Sequence, residues 1–240
     1  MSCDSFRFKQ FVVCHRRCAM KVGTDGVLLG AWAESGASTK SNDIHILDVG
    51  TGSGLIALMM AQRYAKAVID AIDIDSDAVS QATENFTNSP WSNRLTCKQI
   101  AVQELSGREH YYDAIVSNPP YFNNSLKNPD KQRQTARHTD TLSYKELLQA
   151  CERMLKAEGV LSLILPAETE KDFIDLANQS GFSPTRLVHV YSKPGKPMKR
   201  ILIALMKRND LPLEQSHFYI ESESSPRSDE YAALTKDFYL

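Results

Sequence analysis

The sequence predicts an α/β fold: a mostly parallel, doubly wound, seven-stranded sheet with an antiparallel hairpin at one edge. Three observations carry this expectation. Short β-branched apolar runs alternate with helical patterns between residues 44 and 206, the signature of a parallel sheet covered on both faces. A glycine-rich turn, Gly50-Thr51-Gly52-Ser53-Gly54, joins the first of these runs to the first helical pattern. Finally, the last two runs are separated only by a short Pro/Gly/Lys stretch, which reads as a hairpin.

Taken in order, Ile44–Val49 reads as a buried strand and Leu55–Tyr64 as the helix after the glycines. Ala67–Ile74 and Asp77–Phe86 form the next strand and helix, followed by strands at Leu95–Ile100 and Asp113–Ser117. Tyr144–Leu155 has apolar residues near helical spacing, with Gly159 as a stop signal. Val160–Leu165 is the fifth strand and Glu168–Gln179 a helix ended by Gly181; Thr185–Tyr191 and Ile201–Met206 close the series. Residues 34–43 and 221–230 are small and polar and read as connections. No repeat is visible. With 240 residues the chain suits a single domain, with residues 1–43 as an N-terminal extension.

Composition excludes several classes. Hydrophobic residues make up 42% and charged residues 24%, which rules out a disordered or fibrous chain. No stretch approaches the ~20 apolar residues of a membrane helix. The first residues contain no apolar signal core, so a cytoplasmic location is expected, and free thiols are the simplest reading of five cysteines. A monomer is expected. The net charge of −1 hides an uneven distribution. Residues 6–21 carry Arg7, Lys9, Arg16, Arg17 and Lys21 without an acid, residues 193–200 carry Lys193, Lys196, Lys199 and Arg200, and the last thirty residues lean acidic.

The glycine turn lets a strand bend sharply into a helix and lets a ligand approach the backbone. It reads G-x-G-x-G; the dinucleotide fingerprint would need glycine where Leu55 stands, and a phosphate-cradling Lys-Ser/Thr pair is missing. Asp73, at the end of the second strand, can accept both hydroxyls of a ribose, whereas Asp75 or Ser76 suits a helix N-cap. After the fourth strand comes Asn118-Pro119-Pro120-Tyr121-Phe122. Its prolines fix an extended loop. Such a loop holds the Asn118 side-chain oxygen and the Pro119 carbonyl as two acceptors for one planar NH₂ group, with Tyr121 stacking on the plane. Accepting both hydrogens favours the pyramidal nitrogen whose lone pair is free to attack an electrophile.

These features resemble the class I S-adenosylmethionine-dependent methyltransferases, a Rossmann-like fold, and specifically those that methylate planar amino groups. The stretches Phe8–Phe11, Met20–Trp32, Ala136–Thr139 and Lys236–Leu240 narrow the likeness to the bacterial tRNA1(Val) adenine-37 N6-methyltransferases, over nearly the whole chain. The resemblance implies that S-adenosylmethionine is the cofactor and tRNA the substrate. It implies that Asp48, Gly50 and Gly52 line the cofactor's methionine part, that Asp73 holds its ribose, and that Lys21, Thr24 and Asp25 belong to an N-terminal segment closing over it. Asn118 would also border the cofactor; together with Pro119 it would hold the adenine N6, and Tyr121 would stack on the base. One departure stands out: Ala101 occupies the place where many relatives carry an acid for the cofactor's adenine.

Substrate contacts are expected from Pro120 and Phe122, from Arg133, Arg137 and His138 after the loop, and from Lys196, Lys199 and Arg200 at the hairpin, since RNA binding combines aromatic platforms with basic residues. No metal is expected: the cofactor's sulfonium is already activated, and Cys14-His15-Arg16-Arg17-Cys18 lacks a fourth ligand nearby. The competing readings are a glutamine-amide methyltransferase acting on a release factor, an adenine-N6 methyltransferase acting on ribosomal RNA or DNA, and a non-catalytic RNA-binding module.

Overall fold

The computed structural model describes residues 4–36, 43–119, 142–208 and 210–240. Strands β1 (Ser5–Arg7) and β2 (Val12–Cys14) form a small antiparallel sheet of their own, and helix α1 (Thr24–Trp32) follows. The alternating body comprises β3 (Ile44–Val49), α2 (Leu55–Arg63), β4 (Ala67–Asp73), α3 (Ser76–Thr87), β5 (Leu95–Gln99) and β6 (Tyr112–Ser117). It continues through α4 (Tyr144–Met154), β7 (Leu155–Pro166), α5 (Glu170–Gln179), β8 (Ser183–Tyr191) and β9 (Met198–Met206). β10 (Glu214–Tyr219) and α6 (Asp229–Thr235) complete the described elements.

The main sheet has eight strands in the order β10-β8-β9-β7-β6-β3-β4-β5. This corrects the expected seven. β10 pairs in parallel with β8, so the antiparallel β8–β9 hairpin is present but lies one strand in from the edge. β10 escaped notice because its four leading residues, Glu214–His217, are polar and exposed, leaving no apolar run. Only β9 runs against its neighbours.

Burial on both faces explains the continuous apolar runs of the central strands. Ile46, Ala114, Val116, Ile164 and Leu202 join the core under α1, α2 and α3. Their neighbours Leu47, Ile115, Leu163, Ile201 and Ile203 join the opposite core under α4 and α5, as the two-residue period requires. α1 is buried from Gly26 through Trp32. It carries no amphipathic stripe, which is why periodicity missed it. It lies close against α2: a Cβ on Gly30 would stand 2.7 Å from the Met59 sulfur, and one on Gly26 3.0 Å from Leu55. Gly159 does not stop a helix. It sits inside β7, where a Cβ would meet the Leu155 side chain at 2.7 Å, and α4 ends five residues earlier.

The strand order reverses between β3 and β6: β4 and β5 follow β3 on one side, and β7 continues from β6 on the other. In open α/β sheets ligands bind at the carboxyl ends of the strands flanking such a reversal. The two ends are tied together there. Val49 faces Ser117 in register, and the buried Ser117 hydroxyl donates to the Val49 carbonyl at 2.8 Å.

Candidate active site

A cleft of about 340 Å³ opens at this reversal. Its floor is the turn Gly50–Ser53 and the first residues of α2, Leu55 and Ile56. Asn118 forms one side, and Met20, Lys21 and Gly23–Gly26, leading into α1, form the opposite wall. Six of the residues singled out in the sequence thus converge: Lys21, Thr24, Asp25, Gly50, Gly52 and Asn118.

The turn is held from behind. The N–H groups of Gly50 and Thr51 donate to the Ile72 carbonyl at 2.9 and 3.0 Å, and Gly52 donates to Asp73 Oδ2 at 2.9 Å. Gly50 and Gly52 have φ of 71° and 54°, and a Cβ on either would meet nothing within 4 Å. The backbone itself therefore faces open space, as close approach to a ligand requires. Gly54 differs. At φ 80° it begins α2, and a Cβ would stand 2.5 Å from the Phe86 ring. Gly54→Ala combines left-handed strain with a clash, so a loss of at least ~2 kcal/mol of stability is expected, read as a lowered Tm.

Asp48 is fully buried at the end of β3. Its Oδ2 accepts from the Thr51 hydroxyl at 2.6 Å and from the Ala57 N–H at 3.2 Å, while Oδ1 has no partner among the described residues. Burial pushes this carboxyl up to about 7; the two hydrogen bonds oppose that shift and the charge of Asp73 adds to it. Asp73 stands beside the turn rather than in the cleft lining. Its oxygens accept from the Gly52 and Asp75 N–H groups, which leaves lone pairs for further donors. Asp75 caps α3, accepting from the Asp77 N–H at 2.9 Å.

Asn118 Oδ1 is a buried acceptor without a partner among the described residues. Pro119 beside it is buried. Pro120, Tyr121, Phe122, Arg133, Arg137 and His138 lie outside the described residues. At the hairpin, Lys196 and Lys199 are exposed. Arg200 departs from the expectation of a free substrate contact: its Nε donates to Asp25 Oδ2 at 2.8 Å, tying β9 to the cleft wall. Lys21 pairs with Asp4 at 2.8 Å.

Sequence reading missed Met20, Thr51, Ser53, Leu55 and Ile56 in the lining, and also Asn85. The Asn85 side chain accepts from the Cys14 N–H at 3.0 Å and donates to the carbonyls of Cys14 and Ser53, both at 2.8 Å. It joins β2 to the glycine turn. No local pattern announces it, because its partners lie 71 and 32 residues away. Cys18, Cys97 and Cys151 carry free thiols, and Cys14 does not, which corrects the expectation for that residue. Burial raises Cys18 to about 11 and Cys97 to about 12, so neither ionises at neutral pH. Among the described residues no group of three or more His, Cys, Asp or Glu could hold a metal ion, and no helix is long and apolar enough to cross a membrane.

Residues 35–174 match the family described as "Methyltransferase small domain". Solved structures share the fold. A predicted O-methyltransferase from Agrobacterium tumefaciens superposes with a TM-score of 0.71 at 17% identity, covering 89% of this chain and 96% of that one. A putative class I S-adenosylmethionine-dependent methyltransferase from Listeria monocytogenes gives 0.59 at 16% identity, over 86% of this chain and 67% of that one. Fold and cleft together define a class I methyltransferase.

Full-length relatives are more specific. The tRNA1(Val) (adenine(37)-N6)-methyltransferase of Parabacteroides distasonis is 50% identical, covering 98% of this chain and 97% of its own. Proteins of the same description from Flavobacterium psychrophilum and Trichodesmium erythraeum are each 44% identical, over 98% and 100% of this chain and 99% of each relative. The chain belongs to this family.

Proposed function

We propose that the protein transfers a methyl group from S-adenosylmethionine to the N6 amino group of adenine 37 in tRNA1(Val). The observation that carries this reading is the orphaned acceptor Asn118 Oδ1, beside a glycine turn whose backbone faces open space. A buried acceptor without a donor is costly unless a ligand supplies one. An exocyclic amino group does so.

The donor set fits the cofactor. Gly50 and Gly52 admit it close to the backbone, Asp48 and Asp73 supply negative charge and ribose-type acceptors, and Lys21, Thr24 and Asp25 form the wall over it. On this reading residues 1–43 are the extension that covers the cofactor, in a single domain. S-adenosylmethionine, when bound, supplies a methyl group on a positively charged sulfur. Asn118 Oδ1 and the Pro119 carbonyl then accept the two N6 hydrogens and hold the nitrogen lone pair toward the methyl carbon. Catalysis is by orientation, and the surplus proton leaves to water after transfer, so no strong base is required. Tyr121 stacks on the base, Pro120 and Phe122 shape its pocket, and Arg133, Arg137, His138, Lys196 and Lys199 contact the RNA. Arg200 acts through Asp25 on the cleft wall.

The test is methyl transfer from labelled S-adenosylmethionine to unmodified tRNA, followed by nucleoside mass spectrometry. N6-methyladenosine in tRNA1(Val) supports the reading. Label in a release factor or in ribosomal RNA keeps the site and overturns the substrate. A second expectation concerns salt. Replacing Lys196 and Lys199 by alanine is expected to lower the slope of log K against log salt by about 0.7–0.9 for each phosphate that is no longer neutralised. An unchanged slope removes these lysines from the RNA interface.

A further inference from the structure

The outer sheet carries an aromatic ladder that the cleft does not use. β8 and β10 run parallel to β6, so their carboxyl ends lie on the same edge of the sheet as Asn118. In their register His217 faces His189, and Tyr219 faces Tyr191. The Tyr191 and Tyr219 rings stack at 5.2 Å with 28° between planes, and Tyr191 and His217 at 5.7 Å with 24°. His217 is exposed and both tyrosines are half-buried. The opposite face of β10 is covered, since Phe218 packs edge-on to Tyr231 of α6. On the ladder's own face, the cover begins at Glu170 of α5, whose carboxylate meets His189 at 3.1 Å.

The charge beside the ladder is positive. The turn leaving Tyr191 carries Lys193, Lys196 and Lys199 before β9 returns. Among the described residues none of the three forms an ion pair with an acid. Backbone pairing runs on past the strands, with Ile220 and Glu221 donating to the carbonyls of Tyr191 and Ser192, so the rings stand on a rigid edge. Glu230 lies at the free side of β10, accepting from the Tyr219 N–H, and repels a polyanion from that outer side; Glu221 pairs with Ser192, beside the lysine turn.

We propose that Tyr191, His217 and Tyr219 form a stacking platform for unpaired nucleotides next to the target base, with the Lys193–Lys199 turn holding their phosphates. The proposal rests on the reading that the substrate is an RNA. Aromatic faces beside basic residues are the chemistry by which unpaired bases are held. At the usual spacing between strands, β8 and β10 stand about 14 and 19 Å from β6, a span that neighbouring nucleotides can bridge. The exposed Lys193, Lys196 and Lys199 beside the rings favour a polyanion over a protein partner.

The experiment compares wild type with H217A, with H217A/Y219A and with Y219F. Each is measured for binding of an unmodified tRNA1(Val) transcript and an unstructured RNA dodecamer, for S-adenosylmethionine binding, and for kcat and KM of methyl transfer. The expected result for H217A/Y219A is a roughly tenfold rise in Kd and KM for tRNA, with S-adenosylmethionine binding and saturated kcat unchanged. Y219F should stay within about twofold of wild type, because it keeps the ring. H217A, at an exposed position, should show a smaller change of the same sign without a change in Tm. Wild-type RNA binding by H217A/Y219A overturns the platform. If the double variant loses cofactor binding as well, which would mark a folding defect, H217A decides: wild-type RNA binding by H217A then overturns the platform. If wild type methylates tRNA while the double variant binds it unchanged, the platform alone fails. If wild type binds neither RNA, the platform fails together with the RNA reading.

Discussion

Asn118→Ala is expected to lower kcat by at least ~100-fold while changing the Kd for S-adenosylmethionine far less. The side-chain oxygen lies at the end of β6, held by the register of Val49 with Ser117 and by the hydrogen bond between them. It is buried with no partner among the described residues, so its lost solvation is offset only when a donor arrives. An alanine leaves the cleft walls and the glycine turn in place but deletes one of the two acceptors that orient the amino group. Loss of one preorganised hydrogen-bonding group costs about 10²–10³ in rate in comparable sites. Single-turnover transfer under saturating tRNA separates this from weakened binding. A variant retaining more than about half of wild-type activity would refute the role.

Cofactor affinity is expected to fall as pH drops below about 7, approaching tenfold per pH unit well below that value. Burial holds the Asp48 carboxyl near 7 in the free protein, so it is largely protonated at pH 6 and largely ionised at pH 8. S-adenosylmethionine carries positive charge, which favours the ionised carboxylate. Binding therefore releases a proton near neutrality, and calorimetry in buffers of different ionisation enthalpy should detect it. The stability linkage has a definite sign as well. Between about pH 4 and 7 the folded chain keeps a proton that the unfolded chain has lost, so this group favours folding more strongly as pH falls through that window. Asp48→Asn should flatten both dependences and weaken binding at pH 8. A pH-independent Kd in the wild type would remove Asp48 from the cofactor's electrostatics.

Much of this architecture was legible because it rests on local signals. The central strands β3, β6, β7 and β9 are buried on both faces over most of their length and read as apolar runs, and the glycine turn and the Asn118 loop are contiguous motifs. What escaped depends on tertiary context. β10 is polar and exists as a strand only because the β8 edge offers it hydrogen bonds. α1 is buried all round and shows no period. The Arg200–Asp25 pair joins residues 175 apart, so a cation that looked like a free RNA contact is committed to the cleft wall. Asn85 is similar: it is an ordinary polar residue of α3 until the fold places Cys14 and Ser53 on either side of it.

The close seating of α1 against α2 sets the smallest fragment that can stand alone. The family match starts at residue 35, just after α1, and invites trimming the chain there. Such a cut would strip the cover from Leu55 and Met59, which are fully or almost fully buried, and would release Asn85 and Gln81 from the β2 side. The shortened protein would present a sticky apolar strip beside an unsupported glycine turn and would tend to self-associate. Strand β2 and helix α1 are thus expected to fold together with the matched region 35–174, which a lowered Tm of the trimmed chain would show.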